Sequence, residues 1–400
     1  MNSDGPIIQS LLDSDLYKFS MAQVVFHKFT DVNVKYRFKC RTKGINLAKY
    51  ADEIRDEIRQ MDKLKFYPWE LDFLGTRNRS YIKQDFIDFL WMFHCDTAEF
   101  VKVTPMDNGE IDIVVEGPWL QTIWYEVPIL AIVQEVYMRN EYPNYNLTEG
   151  QKRLHEKIKM LKQFYEDYGF YIVFAEFGTR RRFSRDWHFE VTKTLNKFLP
   201  DGSFSTSNIE LARRLGLTPI GTMAHEYLQA FQGLDHCSLQ KFQFTALQTW
   251  ADEYRGELGI ALSDVVGFDA FLRDFDMYFC KLFDGCRHDS GDPFEWCHKL
   301  IEHYKKYHID PRTKKVVFSD GIDIPTAIKL TLEFHDQIQV MFGIGTNLTN
   351  DVGVKPLQIV MKMIECNGRP VAKISDSVGK GMCEDTEFLT YLKREFEVGN

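Results

Sequence analysis

Residues 32–38 (VNVKYRF) alternate apolar and polar side chains, the period of a strand with one buried face. Residues 51–61 (ADEIRDEIRQM) read instead as a charged amphipathic helix, and residues 111–116 (IDIVVE) as a second strand. A long helix with polar and apolar faces is expected over 148–167, with Thr148 as its N-cap. Residues 1–130 therefore mix strands and helices without a regular order. Further on, short apolar runs end in small or charged residues, and a helical pattern follows each. The runs end at 174–178, 204–207, 220–225, 262–264, 283–292, 317–320 and 341–347. These seven tips have the spacing of βα units. Parallel strands covered on both faces are continuous apolar runs, as VVF at 316–318 and VMF at 340–342 are. Polar tips at seven consecutive strand ends favour a (β/α) barrel, whose active site lies on that face. An open doubly wound sheet is the competitor, and it too binds ligands at strand ends. Residues 369–375 (RPVAKIS) form a further strand expected to return to the first domain. The resulting division is 1–130, 131–360 and 361–400.

Composition narrows the class. The chain has 400 residues, enough for two domains and a large core without disulfide or metal staples. Its 32 Phe, 18 Tyr and 7 Trp fit such a core. A formal net charge of -9 argues against a nucleic-acid partner, yet a local cation cluster still suffices for a small anionic substrate. Eight scattered cysteines contain no Cys-x-x-Cys pair, so a structural zinc site is not expected. The start MNSDGPIIQS has no basic n-region, and no apolar run has the length of a membrane span. The expectation is a cytoplasmic chain with reduced thiols and no membrane partner.

Candidate chemistry gathers at the strand tips. In FGIGTNLT (342–349), Gly343 and Gly345 bracket a strand end, and Thr346, Asn347 and Thr349 follow. Glycines let backbone N–H groups approach a phosphate, although an ordinary strand-to-helix turn has the same look. Ser319-Asp320-Gly321 repeats the pattern one tip earlier, and two adjacent tips of this kind form the familiar phosphate position of barrels. There is no GxxxxGK[ST] loop. In RHDSGDP (287–293), a turn and a Pro-initiated helix account for Asp292 and Pro293 but not for Arg287 and Asp289. Arg287 is suited to clamp a carboxylate or phosphate, and Asp289 to meet ribose hydroxyls or Mg2+. Of the three successive arginines in EFGTRRR (176–182), only one or two can face one ligand, and Arg180 is the favoured one. His225, in GTMAHE (221–226), is as suited to a structural role as to nucleophilic chemistry. Asp264 at the next tip is a candidate to orient its imidazole. DLYKFSM (15–21) reads only as a helix with a buried face.

Taken together, SDLYKFSM, EFGTRRRFS, GTMAHE, RHDSGDP, VFSDGID, FGIGTNLTND and KISDS resemble the nicotinate phosphoribosyltransferases of the bacterial type, over nearly the whole chain. The resemblance implies an α/β fold: an irregular seven-stranded (β/α) barrel plus an α/β sandwich domain built from both chain ends. It implies a homodimer in which the N-terminal segment completes the partner's site. The implied reaction joins nicotinate to the phosphoribosyl group of phosphoribosyl pyrophosphate, with ATP hydrolysed alongside and Mg2+ required. Tyr17 and Phe177 would sandwich the pyridine ring, and Arg287 would bind its carboxylate with Thr222 nearby. Arg180 would hold the pyrophosphate side, and Asp289 would face the ribose or Mg2+. Ser319, Gly321, Gly345 and Thr346 would hold the 5-phosphate, and His225 would be phosphorylated, with Asp264 beside it. Two rivals are a nicotinamide phosphoribosyltransferase and a non-catalytic relative that senses a ligand. The first needs an acceptor for amide N–H groups, and the tip Ser205-Thr206-Ser207-Asn208 offers none that is acidic.

Overall fold

The computed structural model describes residues 5–75, 81–376 and 383–398, so the last serine of KISDS lies outside the described residues. Eleven strands occur among them. They are β1 (Asn33–Cys40), β2 (Val101–Pro105), β3 (Ile111–Pro118), β4 (Phe174–Glu176), β5 (Phe204–Thr206), β6 (Ile260–Leu262), β7 (Gly285–His288), β8 (Lys315–Phe318), β9 (Gln339–Ile344), β10 (Ile359–Cys366) and β11 (Arg369–Pro370).

Five of them form an antiparallel sheet in the order β11-β10-β1-β3-β2. The alternation read at 32–38 sets its register: Val34, Tyr36 and Phe38 are buried while their neighbours are not. β1 pairs with β10 from Val34↔Cys366 to Cys40↔Ile359, with an irregularity between Lys35 and Tyr36. The sheet thus joins strands from both chain ends. Its strand β11 holds only Arg369 and Pro370, shorter than the strand expected over 369–375. Ile374 bridges Val266 instead, which brings the preceding Lys373 to the other sheet.

That second sheet is parallel, with the order β5-β4-β9-β8-β7-β6. Helices connect its strands, and their starts explain the polar tips. Asp292 caps the helix Pro293–Lys306 by accepting from Phe294 N and Glu295 N, and Asp323 caps Ile324–Phe334 by accepting from Thr326 N at 2.8 Å. Six of the seven expected tips follow strands. The one at 220–225 does not. Pro219 makes a lone bridge with Thr206, Ile220 N donates to Thr206 O at 2.9 Å, and Thr222 Oγ1 donates to Ile260 O at 2.9 Å. Proline has no N–H for a ladder and Gly221 weakens a strand, so this segment touches β5 and β6 by single bonds. The architecture is a mixed α/β fold with one parallel and one antiparallel sheet.

The helix Thr148–Tyr168 forms as expected, but Thr148 is not its cap. Thr148 is the first helical residue, its N–H donating to Asn146 Oδ1 at 2.9 Å, and Leu147 holds the N-cap position with no side-chain cap. The aromatic residues build the core, as in the edge-to-face pair Phe19–Trp124 at 5.0 Å. All eight cysteines are free, and no described helix is long and apolar enough to cross a membrane.

Candidate active site

A cavity of about 540 Å3 opens where the parallel strands end and where Val360 and Lys362 of β10 come over them. Each strand end delivers its polar residue because the apolar part of the run is consumed by the sheet. β7 ends in Arg287. Its guanidinium donates to Met223 O at 3.1 Å, Ser319 Oγ at 3.2 Å and Asp289 Oδ1 at 3.3 Å. Ser319 Oγ also lies 3.0 Å from Asp289 Oδ1, so the tips of β7 and β8 are laced together.

The imidazole of His225, first residue of the helix His225–Ala230, is buried with its Nε2 2.8 Å from Asp264 Oδ1 and 3.4 Å from Asp289 Oδ2. Two carboxylates at Nε2 assign the proton there, which leaves a lone pair on Nδ1. Asp264 Oδ2 takes Lys373 Nζ at 2.8 Å and Ser290 Oγ at 2.6 Å. Burial works to raise the Asp264 carboxyl, but His225 and Lys373 together hold it well below the usual range. Asp289 is likewise held at about 2, burial being outweighed by Arg287, His225 and Lys373. His225 is pushed down to about 4 by burial and by Lys373, against the pull of Asp264. Its ring is therefore neutral at pH 7, the form in which an imidazole nitrogen is nucleophilic.

Phe177 N donates to Ile344 O at 2.9 Å, which fixes the residue between the ends of β4 and β9. Of the three arginines after it, Arg180 and Arg181 face the cavity. Arg180 donates to Glu126 Oε1 at 3.3 Å, and its guanidinium lies 5.9 Å over the Tyr17 ring. Arg181 donates to Gln358 Oε1 at 2.8 Å and is pulled down to about 10 by burial and by Arg180. Arg182 points away and forms a buried bidentate pair with Asp13 at 2.7 and 2.8 Å. Thr222, Ser319, Gly321, Thr346 and Asn347 also line the cavity. Gly321 has φ +64°, a conformation that favours glycine at this turn. Asp264 and Gly345 stand behind the wall: Asp264 touches His225, and Gly345 backs the Phe177 carbonyl.

Tyr17 lines the cavity of its own chain. Leu16 N donates to Ser207 O at 2.8 Å, and Asp15 bridges Asn208, so the first helix is sewn to the tip of β5. Those contacts join positions almost half the chain apart and bring Tyr17 to the cavity of its own chain.

Two models span the chain: the nicotinate phosphoribosyltransferase family at residues 172–400, and that family's N-terminal domain at residues 12–134. The chain belongs to the nicotinate phosphoribosyltransferase family. It is 55% identical over 396 residues to the nicotinate phosphoribosyltransferase of Burkholderia orbicola (strain MC0-3), covering 98% of this chain and 97% of that one. The nicotinate phosphoribosyltransferase of Cupriavidus necator is 53% identical over 394 residues, covering 98% and 99%. Among solved structures, the nicotinate phosphoribosyltransferase of Vibrio cholerae matches with a TM-score of 0.93 at 38% identity, covering 99% of this chain and 95% of that one. That of Porphyromonas gingivalis matches at 0.91 and 32%, covering 98% and 100%.

Set in this family's fold, four charged wall residues went unassigned in the sequence reading: Asp15, Arg41, Lys362 and Lys373. Asp15 Oδ1 accepts from Thr179 Oγ1 at 2.7 Å and Ser207 Oγ at 2.8 Å. Lys362 is brought down to about 8 by burial and by Lys373. KISDS had already singled out the segment of Lys373, without a role for that side chain. Lys362 gave no signal of its own.

Proposed function

We propose that this chain transfers the phosphoribosyl group of phosphoribosyl pyrophosphate to nicotinate, giving nicotinate mononucleotide and pyrophosphate, and that ATP drives the reaction through phosphorylation of His225. One observation carries the reading: neutral His225, backed by Asp264, shares a cavity with Arg287, Asp289, Arg180 and two lysines. Family membership supplies the substrate class.

In this reading Tyr17 and Phe177 hold the pyridine ring flat and aim its nitrogen. Arg287 takes the carboxylate, with Thr222 beside it. Ser319, Gly321 and Thr346 hold the 5-phosphate, with Gly345 shaping the turn. Arg180, Lys362 and Lys373 face the pyrophosphate. As pyrophosphate leaves C1 of the ribose, oxocarbenium character develops and the pyridine nitrogen attacks from the opposite face. Alignment and offsetting of the leaving-group charge do the catalytic work, and neither step demands a nucleophile from the protein. His225 Nδ1 attacks the γ-phosphorus of ATP, ADP leaves, and the phosphohistidine is later hydrolysed to phosphate. The dianion placed there tightens the grip on substrates by ordering Lys362 and Lys373 around it.

The residues fit Mg2+. His225, Asp264 and Asp289 each offer a ligand atom, all within 4.8 Å of one another. Asp264 is already bonded to His225, Lys373 and Ser290, and Mg2+ prefers oxygen to imidazole. Asp289 is thus the carboxylate that would hold the ion together with substrate phosphates, where it neutralises charge.

The same reading makes the chain a cytoplasmic enzyme that works as a homodimer, with its domain boundaries near 130 and 360. Asp15 favours an amide substrate, since an acid on the wall accepts N–H groups. Arg287 on the same wall favours the acid. A product assay with nicotinate, nicotinamide and quinolinate, each with and without ATP, tests the proposal. Nicotinate mononucleotide formed faster with ATP is the expected result; turnover of nicotinamide alone would replace the reading with its rival.

A further inference from the structure

Both walls that hold the pyridine ring in the proposed reading are seated on bare backbone. Gly343 is buried inside β9, and Phe177 lies against it. A methyl group on Gly343 would fall well inside van der Waals contact of Phe177 Cδ2 and Cε2, and 3.0 Å from Cγ. On the other side, a methyl on Gly221 would sit 3.0 Å from Tyr17 N and 3.2 Å from Leu16 Cβ. Neither glycine has a left-handed φ, so no backbone conformation demands it. Glycine inside a strand also costs stability relative to alanine. What the two positions require is space.

Neither wall can retreat. Phe177 N is bonded to Ile344 O at 2.9 Å, and Leu16 N to Ser207 O at 2.8 Å. An added methyl at 343 therefore has one direction to push the Phe177 ring, which is into the cavity. We propose that Gly343 and Gly221 are specificity-determining residues that set the width of the Tyr17–Phe177 slot to one flat aromatic ring. This rests on the reading of those two side chains as the holders of nicotinate.

The test compares Gly343→Ala in the native background and in a Phe177→Ala background, with KM measured for both substrates. In the native background the nicotinate KM should rise by about tenfold, a typical consequence of overpacking, while the KM for phosphoribosyl pyrophosphate stays within about twofold. In the Phe177→Ala background the same substitution should cost nothing further, because the Cγ, Cδ2 and Cε2 atoms that overlap it are gone. An unchanged nicotinate KM, or an equal loss in both backgrounds, overturns the proposal. Should Gly343→Ala alone be insoluble, a folded and active double variant supports the overlap, and an insoluble double variant refutes it. If the unaltered chain makes no nicotinate mononucleotide, the functional reading itself has failed; if it does and the comparison comes out flat, only the slot proposal has.

Discussion

Replacing Asp264 by Asn keeps the shape of the side chain and removes its charge. Three donors lose their anion at once: His225 at 2.8 Å, Lys373 at 2.8 Å and Ser290 at 2.6 Å. Asp264 is only 1% exposed, so water does not replace the lost partner. Removing one member of a buried pair costs about 3–5 kcal/mol of stability, because Lys373 is left buried without its main counter-charge. The chemical effect is separate. An amide NH2 turned toward Nε2 makes that nitrogen an acceptor and moves the imidazole proton to Nδ1, the atom that must attack ATP. A buried Asp that fixes a His tautomer in this way is worth up to about 10^4-fold in rate. We therefore expect Asp264→Asn to form phosphoenzyme from γ-labelled ATP at least about 100-fold more slowly than the native chain. ATP-independent formation of nicotinate mononucleotide should change far less. Rapid-quench labelling, with the acid-labile, base-stable phosphate counted, measures the first quantity, and a product assay without ATP the second. Phosphoenzyme formation at the native rate would show that Asp264 does not set the tautomer, and the mechanism at His225 would need another orienting group.

His225→Ala should yield no phosphoenzyme and no stimulation by ATP while still making nicotinate mononucleotide slowly at high substrate; a normal phosphoenzyme yield would move the nucleophile elsewhere. Arg287→Lys loses the two-pronged fit to a carboxylate, about 1.5–3 kcal/mol, and should raise the nicotinate KM by about ten- to 150-fold, which a steady-state titration reads directly. Tyr17 lines the cavity of its own chain, so mixing Tyr17→Ala with Arg287→Ala under subunit exchange is expected to recover no activity; recovery would show that the homodimer shares its sites. Lys362 sheds its proton near pH 8, so affinity for phosphoribosyl pyrophosphate should weaken as pH rises through about 8, and Lys362→Met should flatten that limb. The same depressed value makes the folded state carry an unwelcome ammonium below pH 8, a penalty that fades as pH climbs towards the ordinary 10.5. Lys362→Met should thus raise the melting temperature at pH 7 and do little near pH 10.5; no gain at pH 7 would mean that the ammonium is well solvated.

The strand ends were legible because a parallel strand announces itself twice, by an unbroken apolar run and by the polar residue that follows. Arg287, Asp289, Ser319 and Thr346 were found that way, and the structure brings them to one cavity. Where the run was broken, the reading erred. Pro219 and Gly221 flank a segment whose polar end looked like the others, yet a residue without an N–H and one without a side chain cannot sustain a ladder. The cap of the long helix failed for a smaller reason: Thr148 spends its N–H and hydroxyl on Asn146 Oδ1, and the cap position falls to Leu147, which has no side-chain oxygen.

Lys362 shows where local reading ends. In β10 it occupies an alternating polar position between Met361 and Met363, both buried. On an antiparallel sheet such a lysine ordinarily points to water, and nothing in IVMKMIEC distinguishes it from one that does. Its role depends on the outer face of that sheet being laid over the ends of six parallel strands. Tyr17 is the same case, held in the cavity by bonds from Leu16 and Asp15 to residues near 207. The consequence is electrostatic. In a chain of net charge -9, Arg180, Arg181, Arg287, Lys362 and Lys373 converge on a cavity whose wall acids include Asp15 and Asp289. Arg180 and Arg181 are neighbours in EFGTRRR, but Arg287, Lys362 and Lys373 come from separate stretches, so no single window accounts for the charge of the cavity. That charge is assembled in three dimensions.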